Sequence, residues 1–247
     1  MNEPGKAKIF IPPEKCESER LLLQLNAMGA SLAGVGDVSI GLAREFQHIP
    51  KAVSLGIHHP IIEKNYEKMQ SYAPFYYSID RRLLKMQKLL IGWLRFAGWR
   101  ALAIPPDSNR YDNSYISRLY PLFPHKTAAT CAGLGWVGKS GLLVSDRYGP
   151  YVNWASVLTD APLETCKKPI IHSYCGNCRR CVDACPAGAI KDIHWIRGDN
   201  YQSMIDIEKC AAQLRMNIKN NGNPTCGFCI LACPHGIFRP EFCKYSV

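Results

Sequence analysis

Eight of the 12 cysteines in this 247-residue chain fall between Cys175 and Cys233. Cys175, Cys178, Cys181 and Cys185 follow one another at spacings of two, two and three residues before Pro186, and Cys226, Cys229 and Cys233 repeat the end of that phrase before Pro234. No charged-then-apolar leader opens the chain, so the expected compartment is the cytoplasm, where thiols stay reduced and clustered cysteines serve as metal ligands rather than disulfides.

The spacing points to iron and sulfide. Three thiolates two residues apart can wrap one four-iron cube on a tight turn, whereas the cysteine three residues later begins a helix and points to a second cube. Proline after that cysteine fixes φ and removes a backbone donor. Zinc also uses Cys-x2-Cys pairs, but has little need of the x2, x2, x3-Pro phrase twice. Where the second run would have its first cysteine the chain has Asn223, so one ligand comes from elsewhere. The spacing assigns Cys175, Cys178, Cys181 and Cys233 to a first [4Fe-4S] cluster and Cys185, Cys210, Cys226 and Cys229 to a second, with Cys243 or Cys166 as alternatives to Cys210. The remaining cysteines, Cys16 and Cys131 among them, read ordinarily as small buried hydrophobes.

A second string invites a different chemistry. Gly133-Leu134-Gly135-Trp136-Val137-Gly138-Lys139-Ser140 satisfies both G-x-G-x-x-G and G-x-x-x-x-G-K-[ST]. Either nucleotide motif must leave a strand and open a helix, so that helix N-terminal amides meet phosphate. Here a helix is expected before the glycines and a strand after them, and Trp136 and Val137 would fill the cradle. ATP binding is therefore not expected. The clustered glycines still imply close backbone approach to a large ligand or to a packed turn.

These residues need a scaffold. The apolar spacing predicts helices over Glu14–Met28 and Ser78–Ala97, the latter with Arg81, Arg82, Lys85, Lys88 and Arg95 on a wet face, and a short helix over His125–Ala132 after Pro124. Strands are expected at Ser31–Val38, Ala52–Ile57 and Trp99–Ile104, and a hairpin of Gly141–Ser145 with Tyr151–Leu158. From Cys166 onward the texture becomes Cys, Gly and Pro punctuation with short helices, which sets a boundary between domains of residues 1–165 and 166–247. With 47% hydrophobic and 20% charged residues the chain is neither disordered, collagenous nor coiled coil, and Lys85, Lys88 and Arg95 interrupt its longest apolar stretch, so no membrane span is expected. The formal net charge of +10 divides evenly between the two domains, and two oxidised clusters would lower it to roughly +6. No basic run announces nucleic acid.

Several of these segments together resemble a known family. Pro124 through Ser140, the turn Tyr148-Gly149-Pro150 and the stretch Val157-Leu158-Thr159-Asp160-Ala161-Pro162-Leu163 are similar to the corrinoid-binding core shared by epoxyqueuosine reductases and reductive dehalogenases. In both groups a double [4Fe-4S] domain with a displaced cysteine like Cys210 follows that core. Over roughly residues 30 to 240 the resemblance implies an α/β (α+β) protein: a nitroreductase-like corrinoid-binding domain, then a bacterial-ferredoxin-like two-cluster domain. It implies a corrinoid-dependent iron–sulfur reductase that takes electrons from a low-potential donor of ferredoxin or flavodoxin type, through the two clusters, to a base-off cobalamin and then to a small-molecule substrate. Gly133, Gly135, Trp136, Gly138, Lys139 and Ser140 would line the corrinoid, and Tyr120, His125 and Lys126 would donate a proton or hold the ligand, ahead of Tyr111 and Tyr115. The ordinary alternatives are half-buried aromatics and a solvated first helical turn. Epoxyqueuosine reductases carry an acidic catalytic residue where this chain has Leu119-Tyr120-Pro121, and commonly continue into a tRNA-gripping repeat domain, whereas this chain ends soon after Cys233. A tRNA substrate is accordingly not expected, and the nearest resemblance is to short cytoplasmic proteins of anaerobes. The competing class is a non-enzymatic, ferredoxin-like carrier that reduces the corrinoid of a partner protein.

Overall fold

The computed structural model describes residues 18–59, 73–104, 106, 123–199, 201–221 and 226–236. Its centre is a four-stranded antiparallel sheet of β1 (Leu32–Asp37), β2 (Lys51–His58), β6 (Val152–Thr159) and β3 (Ala101–Ile104), in that spatial order. β2 and β6 pair along eight residues, from Lys51 opposite Thr159 to His58 opposite Val152. Every residue of β6 is buried, as befits a strand covered on both faces.

The covers follow from side-chain alternation. Val53, Leu55 and Ile57 of β2, with Ala155 and Val157 of β6, face α1 (Ser18–Ala27) and α2 (Ala73–Phe96), whose Ile79, Leu83, Met86, Leu90, Trp93 and Leu94 form the expected apolar stripe. Arg81, Arg82, Lys85, Lys88 and Arg95 lie outside that stripe, so the helix packs on the core and keeps a basic face. The opposite face of the sheet, with Ala52, Ile104 and Leu158, receives Ala128 and Cys131 of α3 (His125–Cys131). That approach depends on Gly36, where a Cβ would stand 2.6 Å from Cys131.

The segment before Tyr148 does not form the expected hairpin with β6. Instead, β5 (Leu143–Val144) pairs with β4 (Trp136–Val137) in a separate two-stranded sheet, and only the Ser145–Gly149 bridge closes the turn. β2 takes one edge of β6 along its whole length, and β3 takes the other along Ser156–Thr159.

After Thr159 the chain recrosses the first module, Cys166 N–H donating to the Val35 carbonyl (2.8 Å) and Ile170 N–H to that of Thr130 (2.9 Å). Short helices α4 (Arg180–Asp183), α5 (Tyr201–Met204) and α7 (Phe228–Leu231), with the longer α6 (Ile207–Asn221), build the second module. Its small core of Ile190, Met204 and Ile205 is completed by Val137 of β4. The two modules therefore share a core at their junction. No helix among the described residues is long and apolar enough to cross a membrane.

Candidate metal centre and the turn that seats it

Two short helices carry the cysteine phrases. Cys178 N–H closes a turn on the Cys175 carbonyl (3.1 Å), Cys181 lies in α4, and Ala189 N–H donates to the Cys185 Sγ (3.3 Å). In the second phrase Gly227, at φ +73°, turns the chain into α7, which holds Cys229, and Cys233 N–H donates to the Ile230 carbonyl (3.1 Å). Cys210 enters from the first turns of α6.

The thiols fall into two groups of mutual neighbours. Cys233 feels Cys175, Cys178 and Cys181, while Cys229 feels Cys226, Cys181, Cys210 and Cys185, so Cys181 stands between the two groups. Among the alternatives raised by the spacing, Cys166 stands instead beside Cys131, and Cys243 lies outside the described residues, as does Cys16. Burial, followed by the neighbouring thiols, pushes Cys229 up to about 12; burial likewise leads in raising Cys233 to about 11. Four thiolates so placed are tolerable only when cations offset their charge, which is the chemistry of a metal-cluster donor set. No group of three His, Cys, Asp or Glu side chains among the described residues is set to hold one metal ion.

The Gly-rich string meets the loop of Cys175 and Cys178. α3 ends at Gly133, at φ +72°, and β4 follows, so no helix N-terminus is available for phosphate. The glycines are pressed against this same chain: a Cβ at Gly135 would lie 2.5 Å from the Val144 carbonyl oxygen, one at Gly133 2.8 Å from Cys166 Sγ, and one at Gly138 3.5 Å from Cys175 Sγ. Trp136 is buried between Tyr174 and His235, with ring centroids 5.2 and 4.9 Å away. Lys139 is buried as well; its Nζ donates to the Cys178 carbonyl (3.0 Å) and pairs with Asp192 (2.8 Å), while Ser140 is half-buried in the turn. Asp192 also binds Arg179, and the Lys139 hydrogen bond leads in holding its carboxyl below the usual range.

Of the expected proton donors, Tyr120 lies outside the described residues, together with Tyr111, Tyr115 and the Leu119–Pro121 stretch. His125 is not on a solvated first turn: it is buried against the sheet, its Nδ1 2.9 Å from Ser156 Oγ. Lys126, next to it, is half-buried. Sequence reasoning missed the cluster at the end of β2. His58 stacks on Tyr148 (4.5 Å between centroids), and buried His59 meets Tyr151 edge-on (5.7 Å). Burial, then the Cys233 thiol, pushes Tyr151 up to about 12. The His58-His59-Pro60 triplet at a strand end was the available signal. A cavity of about 360 Å³ lined by Phe46, His48, Ile49, Arg95, Arg100, Ala101 and Leu102 includes none of these residues.

Residues 174–236 match the 4Fe-4S double cluster binding domain. The chain is 31% identical over 124 residues to the epoxyqueuosine reductase of Gloeobacter violaceus, covering 49% of this chain and 38% of that one. It is 33% identical over 119 residues to the tetrachloroethene reductive dehalogenase of Desulfitobacterium hafniense, covering 42% of this chain and 21% of that one. The chain thus spans less than half the length of these curated relatives. Among solved structures, an epoxyqueuosine reductase with an epoxyqueuosine-modified tRNA stem loop superposes with a TM-score of 0.58 at 18% identity, over 87% of this chain and 64% of that one. A reductive dehalogenase for which B12-dependent dehalogenation is described superposes at 0.61 with 20% identity, over 94% and 33%. The mixed α/β fold and its ferredoxin-like second module are shared with both groups.

Proposed function

We propose that this chain is a corrinoid-dependent iron–sulfur reductase, taking electrons from a low-potential donor of ferredoxin or flavodoxin type through two [4Fe-4S] clusters and a base-off cobalamin to a small-molecule substrate. When bound, the clusters supply one-electron transfer and the corrinoid a strongly reducing cobalt. Cys175, Cys178, Cys181 and Cys233 would hold one cluster, and Cys185, Cys210, Cys226 and Cys229 the other.

The observation that carries the reading is the seam between the modules. Gly138 and Lys139 touch the loop of Cys175 and Cys178, Gly149 presses on the backbone of His235, and Tyr151 lies beside Cys233. The first quartet is thereby the one set against the first module. Trp136 Nε1, Tyr151 Oη and Trp154 Nε1, buried donors without a hydrogen-bond partner, fit the amide fringe of a corrinoid held near that seam. His125, oriented by Ser156, is the described side chain best placed to move a proton, with Lys126 and Tyr120 as the further candidates. A small-molecule substrate is proposed because Leu119-Tyr120-Pro121 offers no acid where the tRNA-acting relatives have theirs.

A second reading has its own observation. Gly135 and Gly138 spend their missing side chains on Val144 and Cys175 of this chain, which suits a carrier whose turn seats a cluster and which reduces a corrinoid held by a partner. Anaerobic reconstitution with iron, sulfide and cobalamin separates the two. The reductase retains about one cobalamin per chain after desalting, with a base-off spectrum; a fully clustered protein that retains none is the carrier. Turnover of an epoxyqueuosine-bearing tRNA stem loop would contradict the small-molecule assignment.

A further inference from the structure

We infer that Lys139 is the buried counter-charge of the first cluster: it pins the Cys175–Cys181 loop and raises that centre's reduction potential, a role unrelated to the phosphate binding that its Gly-x-x-x-x-Gly-Lys-Ser setting imitates. The inference rests on the two-cluster reading above.

Among the described residues Lys139 is the only Lys or Arg that is buried, at 3% exposure. An ammonium taken out of water is costly unless it is paired and hydrogen-bonded. Both satisfied contacts of Lys139 reach across the junction into the second module, to the Cys178 carbonyl at 3.0 Å and the Asp192 carboxylate at 2.8 Å. The same turn runs close to the cysteine loop: a Cβ at Gly138 would lie 3.0 Å from Val144 Cγ2 and at an ordinary contact distance, 3.5 Å, from Cys175 Sγ. The acceptor is placed with equal specificity: Asp192 is the only non-glycine among the described residues with a positive φ, +61°. Backbone held in that region is kept where the surroundings over-determine it. Asp192 also binds Arg179, the residue after Cys178.

The sign of the effect follows from charge. Arg179 pairs with both Asp192 and Asp183, and these side chains are partly or largely exposed to water, so the charge that acts at short range on the Cys178 loop is that of buried Lys139. Adding an electron to a thiolate-bound cube makes it more negative, and a nearby cation in a poorly solvated setting stabilises that product. The second quartet has no such partner among the described residues: Lys209, beside Cys210 in sequence, has a side chain 60% exposed and is screened by water. The two centres are therefore biased unequally, and the electron rests preferentially on the one at the seam.

An EPR-monitored redox titration of the holoprotein tests this in wild type, Lys139→Met and Asp192→Asn. The first cluster is identified as the centre whose signal Cys175→Ser changes. At a fixed solution potential Lys139→Met should move its reduced-to-oxidised ratio about tenfold toward oxidised, about 59 mV for a one-electron centre. Asp192→Asn should move the same centre the other way, and the second cluster should stay in place. A merely structural role moves both variants in the same direction. An unmoved first cluster, same-direction shifts, or equal shifts of both clusters overturn the inference. If Lys139→Met drops to about four iron atoms per chain, Asp192→Asn decides alone by the direction of its shift. A wild-type protein that holds no iron defeats the two-cluster reading itself, and this inference with it.

Discussion

His59 shows how a single residue records its position. It sits at the end of β2, donates its backbone N–H to the Tyr151 carbonyl (3.1 Å), and is held neutral down to about 3, by burial first and then by neighbouring His58. An unfolded histidine takes up a proton near pH 6.5, whereas the folded one refuses it. Stability is therefore unaffected above pH 6.5 and falls as pH drops from there toward 3, by about 1.4 kcal/mol per pH unit from this one group. Denaturant unfolding at a series of pH values should show that slope in wild type, and a shallower one in His59→Gln. Equal slopes would mean that His59 is hydrated. The sequence disclosed much less about this residue than about Cys210. A metal ligand declares itself by type and spacing, because a cube fixes how far apart thiolates stand. The His58-His59-Pro60 triplet is a weaker signal, since the burial that keeps His59 neutral comes in part from Tyr151, about ninety residues further along the chain.

At the scale of elements, α2 was legible by its helical apolar stripe, and β2 and β6, buried on both faces, as short apolar runs. The hairpin reading failed because local turn chemistry cannot see that β5 pairs with β4, or that β2 takes one edge of β6 along its whole length. Tyr148-Gly149-Pro150 turns out to serve contact between modules: a Cβ at Gly149 would collide with the backbone of His235 and Gly236, and Gly149 itself has φ +55°. Gly149→Ala should cost about 1–3 kcal/mol and loosen the seam. Gly92, exposed on helix α2 and with nothing within 4 Å of where a Cβ would stand, provides the opposite case. Gly92→Ala should stabilise by about 0.5–1 kcal/mol, because it restores helix propensity without a clash. Denaturation midpoints of the two anaerobic holoproteins check both signs. A neutral Gly149→Ala would mean that the two backbones do not touch.

For the whole molecule, the change to a cysteine-rich texture near residue 165 does not tell how the parts cohere. Val137 belongs to the core of the second module, Lys139 to its first cysteine loop, and Gly149 to its last. The Gly-rich string could not announce this from sequence, since glycine reports only that something comes close, not what. The remaining apolar core of the second module is small, and its buried cysteines can serve as thiolates only when bound cations offset their charge. Its order thus depends on what the quartets bind. Iron, sulfide and zinc analysis of anaerobically prepared protein, with Mössbauer spectra of wild type and Cys210→Ser, tests this most directly. The expected result is about eight iron and eight sulfide per chain in four-iron cubes, and about four of each after Cys210→Ser. Stoichiometric zinc without iron, or an unaltered pair of clusters in Cys210→Ser, would contradict it.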